Sequence, residues 1–238
     1  MDGLISIAAI IVILLVTGTA LGLIRRDSFS IRWLLVAAAL VLINDLLLTR
    51  AYGLIPSVLP DSDWNWEGKI LALTATLAIA ALPAFGWRRV GLTLRQAPGS
   101  WKAAIPVAIL YCAFFAALAL AFPSEAGSPE SIAFQLTMPG FEEEPFYRGI
   151  LLFALAQAFT ARVRFLGVEW NWGAILSCVL FGLAHAFGYS DGTFSFDPLF
   201  LALTAVPSLL AVWLVLRTRS LALPILLHNF GNAISYLL

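Results

Sequence analysis

Charge is scarce in this chain: Asp, Glu, Lys and Arg make up only 12% of its 238 residues, against 61% hydrophobic, and the formal net charge is zero. No basic block larger than a loop cluster exists, so the electrostatic footprint of a nucleic-acid binder is missing and no nucleic-acid partner is expected. Histidine is rarer still, with His185 and His228 the whole complement, and no His-Glu-x-x-His helix is present. Cys112 and Cys178 lie inside apolar runs and form neither a disulfide framework nor a metal cluster, so both read as small packed side chains. Asp2, with no Lys or Arg, precedes the first apolar run, which therefore lacks the basic flank of a cleaved secretory signal and reads as a retained helix. No repeat at a fixed period is visible, and this disfavours the inverted-repeat architecture of many transporters. The longest connections, 50–69, 88–102 and 123–140, are too short for a second folded unit, so 1–238 reads as a single domain.

What is present in abundance is apolar sequence, with a mean hydropathy of +0.92. A hydrocarbon core of ~30 Å needs roughly 20 apolar residues per helix. That template predicts an all-α, polytopic transmembrane bundle of about eight spans, at 3–24, 33–49, 70–87, 103–122, 141–159, 172–188, 198–216 and 221–237, with the lipid bilayer as its solvent. Basic residues recur in every second loop: Arg25, Arg26 and Arg32; then Arg88, Arg89, Arg95 and Lys102; then Arg162 and Arg164; then Arg217 and Arg219. The other loops carry mainly acids, with Arg50 and Lys69 near helix ends on that side. The positive-inside rule then predicts both termini non-cytoplasmic, in what reads as a prokaryotic plasma membrane.

Against this background, Glu142-Glu143-Glu144-Pro145-Phe146-Tyr147-Arg148 stands out, because charges at bilayer depth cost about 2.5–3.5 kcal/mol each even on insertion scales. Glu144 and Arg148 are an i,i+4 pair in the favourable order, which leaves Glu143 facing elsewhere and free of the local arginine. Pro145 is tolerated in a first turn, so the helix is expected to begin near Phe141 or Glu142 with the three acids at its positive dipole end. Phe181 and His185 share one helical face, and Gly182 and Ala184 beside them admit a neighbouring helix; the imidazole suits chemistry or an interhelical hydrogen bond. His228 and Asn232 are again i,i+4, a spacing that suits an oxyanion-stabilising pair or simple helix bridging. Glu143, His185, His228 and Asn232 all fall at compatible depths, so one buried site is expected. Asn44-Asp45 is a further polar step in the second span, and Asp45 reads as a structural group.

The ordered set Glu143-Glu144-x-x-x-Arg148, Phe181-x-x-x-His185 and His228-x-x-x-Asn232 resembles the CPBP intramembrane proteases, the CAAX-protease and bacteriocin-processing group also called Abi-type proteins, over roughly Phe141 to the C-terminus. The resemblance implies a protease core at 141–238 and an endopeptidase acting on a hydrophobic peptide or a prenylated, CAAX-type protein, whose last three residues eukaryotic members remove. Glu143 would activate water, His185 would help hold it, and His228 and Asn232 would stabilise the oxyanion. Glu144 with Arg148 would order the helix. Members are often called metalloproteases, and Glu143, His185 and His228 would make a reasonable zinc set; a glutamate-activated water needs no metal, and no cofactor is firmly implied. One departure is that positive-inside counting puts the site in the non-cytoplasmic half. Outside this resemblance, the same residues suit a proton-coupled transporter or a non-catalytic membrane scaffold or immunity protein.

Overall fold

The structure of the chain is a computed structural model that describes residues 2–54 and 57–238. In chain order the helices are α1 (Asp2–Ile24), α2 (Ile31–Thr49), α3 (Trp66–Ala81), α4 (Trp101–Ala121), α5 (Pro129–Gln135), α6 (Met138–Glu143), α7 (Leu152–Ala158), α8 (Trp172–Ala186), α9 (Pro198–Thr218) and α10 (Ala222–Leu237). A π-helical segment, Glu144–Leu151, joins α6 to α7 without a break, so the three make one long rod. With α5 set aside as a short lead-in, the helices and this rod occupy the eight expected positions. Four of them, α1, α2, α4 and α9, are long and apolar enough to cross a membrane by length and composition. The chain is an integral membrane protein of the all-α helical class.

Three cores hold the bundle together, the smallest of them packing the rod, α8 and α9 through Leu152, Ala174 and Val212. Of the larger two, one gathers α1, α2, the rod and α8 around Leu14, Leu34, Leu151 and Leu155, which are at most 1% exposed; the other joins α4, α9 and α10 through Tyr111, Trp213, Leu214 and Leu227. Lipid competes with side chains for apolar contact, so close approach of backbones must supply the packing. Small residues sit where that requires: Ala37, Ala72, Ala80, Ala104, Ala154 and Ala158 are fully buried. Gly182 is another, since a Cβ there would lie 2.8 Å from Leu201 and 3.0 Å from Ala205 of α9.

The fifth span begins earlier than its sequence suggests. Thr137 precedes α6 and Pro139 takes a first-turn position, so the helix is under way before the acids and Pro145 falls in its interior rather than its first turn. A proline there has no N–H for the carbonyl four residues back and crowds it. The rod widens into its π segment at this point, an accommodation common at functional sites. The Tyr147 carbonyl in this segment accepts a hydrogen bond from Ser177 Oγ of α8 at 2.8 Å.

Two hairpins lie outside the all-helix expectation. β1 (Val163–Phe165) pairs antiparallel with β2 (Val168–Trp170), and β3 (Phe187–Ser190) with β4 (Thr193–Phe196). Their central residues, Leu166-Gly167 and Asp191-Gly192, all have positive φ, the geometry of two-residue type I′ turns. Both hairpins flank α8, and β3 follows His185 almost directly.

Candidate active site

The three acids emerge from the end of α6 and the start of the π segment into a space walled by α3, α8 and α10, and each finds different partners. Glu142 is fully buried; it accepts hydrogen bonds from Asn44 Nδ2 at 3.2 Å and from Lys69 Nζ at 2.7 Å. It is therefore an anchor tying the rod to α2 and α3, and not the flanking residue its position in the motif suggests. Asn44 is the useful half of the Asn44-Asp45 step. Glu143 also differs from expectation: its Oε1 accepts from Lys69 Nζ at 2.6 Å, so a cation from another helix holds it although Arg148 does not. Lys69 stands one turn inside α3, because that helix starts at Trp66 rather than near residue 70.

Glu144 organises the other side. Its Oε1 lies 3.2 Å from Arg148 Nη1, the expected i,i+4 pair, and 2.6 Å from His228 Nδ1. The remaining ring nitrogen, Nε2, faces Glu143 Oε2 at 3.5 Å, and that carboxylate oxygen is buried without a hydrogen-bond partner. Two neighbouring carboxylates thus meet the two nitrogens of one imidazole. The Arg148 guanidinium lies 4.0 Å from the centre of the Phe181 ring, a cation–π contact, and Phe181 packs in turn against His185 at 4.6 Å and His228 at 5.9 Å.

His185 is more exposed than a shared buried site implies. Its Nδ1 donates to the Phe181 carbonyl at 2.8 Å, which leaves Nε2 as an acceptor on the neutral ring. It makes no hydrogen bond to Glu143, but with Asn232, His228, Glu144 and Arg148 it lines a cavity of about 210 Å³ floored by Ser208 and Tyr111. The structure therefore brings His185, His228 and Asn232 to one cavity, with Glu143 reached through the far nitrogen of His228. Asn229 is a residue that motif reading passes over: it accepts the Gly140 N–H at 2.7 Å and so locks α6 against α10. An amide beside His228 in an otherwise apolar helix is its only sequence signal.

The donor set is a poor fit for a zinc ion. Lys69 already places an ammonium on Glu143, and His185 makes neither a hydrogen bond nor an ion pair with Glu143. Among the described residues no group of three or more His, Cys, Asp or Glu side chains is arranged to hold a metal ion.

Compared with known proteins, residues 126–234 match the model of a family described as Rce1-like, type II CAAX prenyl endopeptidase. Nothing among curated proteins or solved structures matches the chain. The matched segment spans α5 through most of α10 and contains every motif residue named above.

Proposed function

Through residues 126–234 the chain belongs to the CAAX prenyl endopeptidase family, and we propose that it cleaves a peptide bond in a hydrophobic or lipidated, CAAX-type substrate by means of water activated at Glu143. The observation that carries this reading is the carboxylate of Glu143, held at Oε1 by Lys69 and open at Oε2, opposite a histidine fixed by a second carboxylate.

In this reading Glu143 Oε2 takes a proton from water while the hydroxyl oxygen adds to the scissile carbonyl carbon. General-base assistance of this kind contributes typically about 10²–10⁴-fold. His185, with Nε2 free to accept, steadies the water. The oxyanion then faces His228 Nε2 and the Asn232 amide. Because Nδ1 donates to Glu144, the second nitrogen of His228 is a donor only in the imidazolium form. Collapse of the tetrahedral intermediate breaks the C–N bond, and Glu143 returns its proton to the leaving amine. Lys69 positions Glu143, and Arg148 positions Glu144.

The test is incubation of the detergent-purified chain with quenched-fluorescent peptides that include prenylated CAAX-type members, with and without a chelator. Cleavage of lipidated members that persists in chelator is the expected result. A folded protein that cleaves no member, yet carries a solute across proteoliposomes in a Glu143-dependent way, would replace this reading with transport.

A further inference from the structure

A second cavity, of about 410 Å³, opens at the arginine-rich end of the bundle, and it is lined by Arg88, Arg89, Arg148, Arg162, Arg219 and a single acid, Glu169. The residues come from separate parts of the chain: the turn after α3, the π segment, the approach to β1, strand β2 and the end of α9. Among the described residues Arg88, Arg89, Arg162 and Arg219 form no ion pair, although Arg89 donates to the Pro83 carbonyl, so four arginines share the cavity lining with one carboxylate.

Two details separate this from the ordinary surplus of basic residues in cytoplasmic loops. Arg219 closes α9 in the left-handed conformation, φ 61° and ψ 27°, where glycine is the usual residue and a side chain is strained. At the inner wall, Arg148 has a side chain only 2% exposed, and its Nε and Nη1 donate no hydrogen bond. Nη1 is taken up by the ion pair with Glu144, so Nε is the donor left without an acceptor in a residue that borders the cavity, and a buried donor without an acceptor is costly.

We propose that this basin binds the phosphate group of an anionic ligand, a phosphate monoester or diester of the kind carried by anionic lipid headgroups. Guanidinium forks match phosphate oxygens bidentately, and basic pockets between membrane helices are suited to headgroups. The site is separate from the peptidase reading, although Arg148 lines both cavities and would lie between a bound phosphate and Glu144.

The experiment follows the thermal unfolding midpoint of the detergent-purified full chain during titration with phosphatidylglycerol, with glycerol phosphate, and with phosphatidylcholine, whose own ammonium offsets its phosphate. The wild type is expected to be stabilised in a concentration-dependent way by an anionic phosphate and not by phosphatidylcholine. A shift from phosphatidylglycerol alone assigns a lipid source, and an equal shift from glycerol phosphate assigns the phosphate by itself. Arg162→Gln should weaken the apparent affinity about tenfold or more. Arg219→Gly should do the same while leaving the ligand-free midpoint equal or higher, because glycine adopts this backbone freely. Absence of any shift in the wild type, or an equal shift in both variants, would overturn the proposal.

Discussion

Lys69 is the residue on which the carboxylate cluster depends. Its ammonium is shared by Glu142 and Glu143 at 2.7 and 2.6 Å, with side chains only 11%, 1% and 13% exposed. Removing one partner of a buried ion cluster leaves the others uncompensated, at a cost of about 3–5 kcal/mol. Lys69→Met should therefore lower the unfolding free energy by about that amount, and Lys69→Met with Glu142→Gln should recover a good part of it; equal stability of Lys69→Met and wild type would show that the cluster does not need the cation. The sequence made the Glu144–Arg148 pair legible because an i,i+4 spacing is local. It could not make Lys69 legible, since a lysine near a helix end ordinarily reaches water, and its distance from Glu142 along the chain carries no periodicity.

At the scale of elements, the site depends on how closely α6 approaches α10. A Cβ on Gly140 would fall 2.5 Å from both Asn229 Oδ1 and the Ile225 carbonyl oxygen, and backbone cannot yield as a flexible side chain can. Gly140→Ala should destabilise by about 1–3 kcal/mol, the usual cost of overpacking, and should also reduce turnover by moving Glu143 away from His228; a thermal midpoint and a rate measured on one preparation check both. A second joint ties α5 to the loop before α3, where Glu130 accepts from Ser62 Oγ at 2.5 Å and Trp66 Nε1 at 3.1 Å. The Ser62 hydroxyl foremost, with the Trp66 indole and nearby backbone N–H groups, holds the Glu130 carboxyl below its ordinary value of 4.5. A lowered folded value means that the joint contributes fully above the ordinary carboxylate range and loses its contribution as pH falls through the folded value. Hydrogen exchange over residues 59–66 should thus accelerate on acidification in the wild type, and Glu130→Gln should remove that pH dependence. Helix positions were readable from hydrophobic length, yet the π segment was not, because Pro145 looks the same in a first turn and in an interior that has widened. The β3–β4 hairpin did leave a signal, Asp191-Gly192 between aromatic residues, which the surrounding apolar runs overshadowed.

At the scale of the whole molecule, three motifs spread over residues 143–232 converge because α8 and α10 both pack on the rod that carries the acids. Glu144 binds His228, Arg148 stacks on Phe181, and His185 opens on the same cavity as Asn232. In the proposed mechanism this convergence serves one carboxylate, Glu143. The most direct test compares turnover of a lipidated CAAX-type peptide by wild-type chain and Glu143→Gln, both shown to be folded by the same thermal midpoint. The expected result is a loss of about 10²–10⁴-fold in rate for Glu143→Gln with little change in peptide affinity. Turnover within a few-fold of wild type would contradict it and assign Glu143 to holding Lys69 in place.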